Sequence, residues 1–145
     1  MIKIIKSDFN KLIIDGLLKG CLKALESSIY DLNEIEIISV PGAFELPAIA
    51  KILSKKEGVE AIIILGCIIK GETDHYEYIS QAVSDGVMRV STDSKVPIVF
   101  GVITCQNSEL AKNRSGNDLE NNKGYEVAKA AIQLIEVFKK NSLQI

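Results

Sequence analysis

Ala61-Ile62-Ile63-Ile64-Leu65-Gly66, running on through Cys67-Ile68-Ile69-Lys70 to Gly71-Glu72-Thr73-Asp74-His75, is the stretch on which the fold turns. Residues 61–65 are apolar without a break and rich in β-branched Ile. Such a run fits a strand covered on both faces, not one face of an antiparallel sheet with its polar alternation. Gly66 ends that strand in this reading. From His75 the period changes, with Ile79, Val83, Val87 and Val90 recurring at helical spacing, so a helix begins near His75. A buried strand, a polar loop and a helix in that order make half of a βαβ unit.

The same alternation continues on either side. Residues 2–5 form a short strand, and from Leu12 the residues Ile13, Ile14, Leu17, Leu18, Cys21, Leu22 and Leu25 share one helical face. Residues 35–40 are a second strand with a sharp exit at Pro41-Gly42. A helix over 45–55 follows, with Pro47 in its first turn, where no intrahelical N–H is lost. Residues 96–104, with Pro97 near the start, are the fourth strand. Residues 110–114 make a short helical segment, and 123–139 a long helix with Val127, Ala130, Ala131, Leu134, Val137 and Phe138 on its inner stripe. No linker or repeat divides the chain, so residues 1–145 are expected to form one domain. Strands alternating with helices specify the α/β class: a three-layer αβα, flavodoxin-like four-stranded parallel sheet with helices on both faces. Ligands in such sheets bind beyond the carboxyl ends of the strands.

Composition narrows the function. Of 145 residues, 47% are hydrophobic and 25% charged, as in an ordinary globular domain. The 17 basic and 19 acidic residues leave a net charge of −2, which argues against a nucleic-acid or anionic-membrane surface. No apolar run approaches the roughly 18 residues of a membrane span. The opening Met1-Ile2-Lys3-Ile4-Ile5-Lys6 is too short for a signal peptide, so a cytoplasmic location is expected. Cys21, Cys67 and Cys105 are too scattered for a disulfide framework or a zinc site, and with one histidine a protein-held metal is not expected. A mean hydropathy of +0.18 without Trp suggests that much apolar surface is hidden, and an oligomer would hide more of it.

Attention therefore falls on the strand ends: Asp8-Phe9-Asn10, then Pro41-Gly42-Ala43-Phe44-Glu45-Leu46-Pro47, then residues 66–75, then Phe100-Gly101 and Thr104-Cys105-Gln106-Asn107. Phe9 and Phe44 can stack on a planar ring or simply cap the core. Backbone amides of Gly71 to Asp74 at a helix start can hold an anion, although Thr73 or Asp74 reads equally as a plain N-cap. Arg114 and Lys123, in a polar loop, fit the anion reading and also fit a solvated surface. His75 can exchange a proton near pH 7, or serve as a cap. Glu45 can accept hydrogen bonds from a polyhydroxyl chain, or merely favour a helix start.

Taken together, Pro41 through Pro47, Leu65 through Tyr78, Pro97 through Asn107 and Asn122-Lys123-Gly124 resemble the 6,7-dimethyl-8-ribityllumazine synthase family over nearly the whole chain. That family condenses 5-amino-6-(D-ribitylamino)uracil with 3,4-dihydroxy-2-butanone 4-phosphate, the penultimate step of riboflavin biosynthesis, and uses neither a metal nor a redox cofactor. The resemblance implies that Phe9 stacks on the pyrimidine and that Ala43, Phe44 and Glu45 line the site, with Glu45 meeting the ribityl chain. It implies backbone contacts to the heterocycle from Cys67, Ile68 and Ile69. Glu72 and Thr73 would hold the phosphate through their amides, helped by Arg114 and Lys123, and His75 would donate and accept protons. Phe100 would reach an adjacent subunit's site, because members form homopentamers, some of which assemble into icosahedral shells. A riboflavin synthase is the implied recipient of the product.

Two departures stand out. Asp8 occupies a place where many members carry a basic residue, and the stretch from Arg114 to Lys123 is a residue longer than the family pattern. The chain opens directly on its first strand, without the extension of some shell-forming members, so pentamers are the expected assembly.

Other classes fit less well. A phospho-receiver domain needs an Asp ending the third strand, where this chain has Gly66-Cys67, and a flavodoxin needs a Ser/Thr-rich phosphate loop that residues 7–10 do not supply. No G-x-G-x-x-G marks a dinucleotide site. An archaeal-type riboflavin synthase is related in fold, but the Phe44-Glu45 and Phe100 motifs favour the lumazine enzyme. The remaining alternative is a non-catalytic relative that binds a flavin or lumazine or builds a shell. Its expected mark is loss of His75 or Arg114, and both are present.

Overall fold

At the centre of the sheet, β3 (Ala61–Ile69) pairs in parallel with β1 (Ile2–Ser7) on one side and β4 (Ile98–Cys105) on the other. The computed structural model describes residues 1–28, 30–141 and 143. β2 (Ile35–Val40) adds to the outer edge of β1, so the order is β2-β1-β3-β4 with every pair parallel. Between the strands run α1 (Lys11–Glu26), α2 (Leu46–Leu53) and α3 (His75–Thr92), and after β4 come the short α4 (Ser108–Asn113) and α5 (Lys123–Lys140). The result is the three-layer flavodoxin-like α/β fold. Among the described residues no helix is long and apolar enough to cross a membrane.

Alternation along the central strands separates two cores. Ile2, Ile4, Ala61, Ile63, Leu65 and Cys67 pack with α1 and α5, whereas Ile5, Ile62, Ile64 and Ile68 pack with α2 and α3. An unbroken apolar run is what a strand needs when both of its faces are buried. Lys3 is the buried charged exception, and its ammonium is paired with the carboxylate of Glu36, its register partner on the edge strand.

The third strand does not stop at Gly66; it continues to Ile69. Gly66 lies on the α2 side, where a Cβ would stand 2.9 Å from Leu46 Cδ1 and 3.2 Å from Val102 Cγ2. Glycine here lets the start of α2 settle on the sheet, so it marks a close approach inside the strand. β1 also outruns its expected end, because Lys6 and Ser7 pair with Ser39 and Val40. The second helix is shorter than 45–55: residues Ala43–Glu45 form a 3-10 turn, and α2 starts at Leu46.

On the other face α1 and α5 cross with almost no space between their backbones. A Cβ on Gly124 would meet the Leu17 backbone, and one on Gly20 would meet the Asn122 side chain. Asn122 is buried and fully engaged. Its Oδ1 accepts from the Tyr125 N–H (3.1 Å), and its Nδ2 donates to the carbonyls of Gly16 (3.1 Å) and Gly116 (3.0 Å). One side chain therefore caps α5 and ties it to α1.

Candidate active site

β1 is followed by a crossover toward β2, and β3 by one toward β4, so a crevice opens between the carboxyl ends of β1 and β3. A cleft of about 610 Å³ occupies that place. Its walls are Phe9 and Asn10 after β1, residues 41–45 after β2, Cys67, Ile68 and Ile69 at the end of β3, and His75, Tyr76 and Ile79 on α3.

Backbone bonds brace the walls. The N–H groups of Asp8 and Phe9 donate to the carbonyls of Val40 (2.8 Å) and Pro41 (3.1 Å), locking the first loop to the second. The Lys70 N–H donates to the Cys105 carbonyl (2.9 Å), joining the third loop to β4. The Lys6 ammonium meets Asp8 Oδ1 at 2.9 Å, so the unusual acidic residue beside Phe9 is neutralised within its own strand end.

The cleft has apolar rings at its mouth. Phe9 is 71% exposed and Phe44 63%, so neither caps the core. Exposed aromatic faces beside a mostly apolar recess are suited to receive a planar, weakly hydrated ring. Glu45, exposed, folds back until Oε2 stands 3.4 Å from where a Cβ of Gly42 would be, which keeps its carboxylate at the same mouth. Ala43 is buried.

His75 is exposed and lines the cleft from the first position of α3. Its backbone N–H donates to Thr73 Oγ1 (3.3 Å), while Asp74 makes no side-chain cap bond. Thr73 therefore does the capping, while the Glu77 and Tyr78 N–H groups donate to the Asp74 carbonyl (3.1 and 3.4 Å). Glu72 and Thr73 lie in the exposed loop just before His75, outside the cleft lining.

Arg114 and Lys123 converge on one carboxylate. Arg114 Nη2 donates to Glu126 Oε2 at 3.1 Å and Lys123 Nζ to Glu126 Oε1 at 2.9 Å. The hydrogen bond from Lys123, aided by its charge and by Arg114, holds the Glu126 carboxyl below its usual range. The long loop between the two cations folds into a 3-10 turn at Leu119–Asn121, and the Lys123 N–H donates to the Arg114 carbonyl (2.8 Å). That backbone bond leaves the two residues adjacent. The Arg114 charge opposes the rise that burial imposes on the Cys105 thiol.

Arg114, Lys123 and Phe100 do not line the cleft of their own chain. Phe100 is the third residue of β4 and not near its carboxyl end; it is half-buried against the α3 side, with Ile64 as its register partner. Sequence reasoning put Asn10 at a strand end without giving it a role, and gave no site role to Tyr76 or Ile79. The helical stripe contained Ile79, but nothing local says that a core position also faces a cleft. Among the described residues no group of three His, Cys, Asp or Glu side chains could hold a metal ion.

The model of the 6,7-dimethyl-8-ribityllumazine synthase family matches residues 1–139. A protein of that description from Leuconostoc mesenteroides is 42% identical over 138 residues, covering 95% of this chain and 88% of the relative. One from Coxiella burnetii is 42% identical over 136 residues, covering 94% and 89%. One from Thermococcus kodakarensis is 37% identical over 139 residues, covering 96% and 86%.

Proposed function

The chain belongs to the 6,7-dimethyl-8-ribityllumazine synthase family, and from that premise we propose how its side chains divide the work. It is a transferase of riboflavin biosynthesis that joins 5-amino-6-(D-ribitylamino)uracil to 3,4-dihydroxy-2-butanone 4-phosphate, releasing phosphate and water. Its substrates are small molecules, and membership implies an oligomeric assembly.

The pyrimidine lies in the cleft with Phe9 over its ring and the backbone of Cys67, Ile68 and Ile69 along its polar edge. Ala43 and Phe44 close the ribityl side, where Glu45 accepts from the chain's hydroxyls. The observation that carries this reading is the convergence of Phe9, Phe44, Glu45 and His75, from three separate loops, on one cleft. The butanone phosphate sits on the amides of Glu72 and Thr73, with Arg114 and Lys123 completing the clamp. An amine attacking a ketone needs little activation, so holding two reactants together supplies much of the rate. Loss of phosphate then needs compensation for the charge that leaves, which the amides and the two cations provide. His75 carries protons during imine formation and ring closure, worth roughly 10²- to 10⁴-fold.

Phe100, Arg114 and Lys123 stand apart from the cleft of their own chain, which supports a site completed by a neighbouring copy. The assembly is then a homopentamer with sites at its interfaces. The chain acts as a single domain in the cytoplasm and hands its product to a riboflavin synthase. A non-catalytic lumazine binder remains the second reading, and His75 beside the rings is the observation against it.

The test follows lumazine absorbance and phosphate release from the two substrates, against the spontaneous reaction and an Arg114→Ala variant. Matched product formation well above background is expected, with Arg114→Ala raising KM for the phosphate substrate far more than for the pyrimidine. A folded oligomer without acceleration would overturn the catalytic reading, and equal effects on both KM values would overturn the clamp.

A further inference from the structure

Asn10 is the only non-glycine with positive φ among the described residues, at φ 63° and ψ 52°. It begins α1, since its carbonyl accepts from the N–H groups of Ile13 (3.0 Å) and Ile14 (3.1 Å). A residue so placed ordinarily turns its side chain back onto the first helical turn. Asn10 makes no such bond. Its Nδ2 instead donates to the Cys67 carbonyl at 3.3 Å, and the residue lines the cleft. Left-handed backbone and a forgone cap both work against starting a helix here. What they achieve lies across the crevice: the chain turns so that Phe9 remains exposed while its N–H is fixed to Pro41, and the end of β3 is held from the same residue.

We propose that Asn10 is a positioning residue for the ring-binding half of the site. It sets the separation between Phe9 and the Cys67 backbone, the two walls between which the pyrimidine lies. The inference rests on the assignment of Phe9 and residues 67–69 to the pyrimidine made above.

Two variants separate the amide from the backbone. Asn10→Gly adopts the left-handed conformation freely but has no amide. Asn10→Asp keeps the shape and tolerates that conformation, while setting a carboxylate oxygen against the Cys67 carbonyl. Both are compared with the unmodified protein for KM of each substrate, kcat, thermal midpoint, and equilibrium binding of the lumazine product by its fluorescence. Loss of one hydrogen bond should raise the pyrimidine KM and the lumazine Kd roughly three- to tenfold in Asn10→Gly. KM for the butanone phosphate should stay within about twofold, and Asn10→Asp should lose at least as much as Asn10→Gly. Unchanged lumazine binding in folded Asn10→Gly, or a parallel rise in both KM values, would overturn the proposal. If the unmodified protein binds lumazine in an Asn10-dependent way but does not turn over, the catalytic reading fails and the positioning role stands. If it binds no lumazine, both fall.

Discussion

Replacing Gly124 by Ala should loosen the joint between α1 and α5. The new Cβ would stand 2.6 Å from the carbonyl carbon of Leu17 and 3.0 Å from its Cα, and nearer still to the carbonyl oxygen. Carbon atoms pack comfortably at about 3.5–4.0 Å, so the helices must separate by roughly 1 Å. The obstacle is backbone, which cannot rotate aside as a side chain would. Overpacking of this kind costs about 1–3 kcal/mol, and a rigid obstacle places it at the upper end. Alanine recovers about 1 kcal/mol through its better helix propensity. A net loss of about 2 kcal/mol remains, or a fall of roughly 4–8 °C in thermal midpoint for a domain of this size.

Calorimetry at one fixed protein concentration measures the shift, because assembly makes the midpoint concentration-dependent. Gly116→Ala is the control: its Cβ would meet nothing nearer than the Lys112 carbonyl oxygen at 3.5 Å, so a change within about 0.5 kcal/mol is expected. A Gly124→Ala midpoint equal to or above that of the unmodified protein would refute the close-crossing argument. Separation at this point also shifts Lys123, the adjacent residue at the start of α5, so a higher KM for the phosphate substrate should accompany the lost stability.

Acid stability carries a signature of Glu126. Its carboxyl titrates below the ordinary range when folded, so its contribution is present above the unfolded value of about 4.3 and is lost as pH falls through the folded one. Denaturation curves for Glu126→Gln should therefore converge with those of the unmodified protein in acid and separate above about pH 5, by less than about 1 kcal/mol because the pair is exposed. A gap that persists in acid would contradict this. Thiol titration tests the core: burial pushes Cys21 and Cys67 up to about 12 and raises Cys105 as well. At pH 8 the native protein should leave all three unreacted toward a disulfide reagent, and the unfolded chain should expose three. A fast native thiol would mean that the cleft floor at Cys67 opens.

Periodicity carried the layer order well. Residues 35–40 form the expected strand without adjustment, and α3 and α5 begin at His75 and Lys123 as their patterns indicate. Hydrophobic spacing is local, and so is the geometry that it specifies. The errors fell where a residue answers to something distant. Gly66 reads as a breaker until Leu46 is placed against it. Asn10 reads as loop until Cys67 comes within reach of its amide.

The site divides in the same way. Phe9, Phe44, Glu45 and His75 were legible because they follow strands, and carboxyl ends in such a sheet necessarily point the same way. Arg114 and Lys123 were legible as residue types, but their joint hold on Glu126 was not, since it depends on how the loop between them folds. The sequence by itself determined the α/β alternation, the two buried faces of β3 and the family motifs, because these rest on the order and spacing of side chains along the chain. Tertiary structure alone decided which loops share the cleft, why Gly66 and Gly124 must be glycine, and where Asn10 directs its amide, because those depend on contacts between segments far apart in sequence.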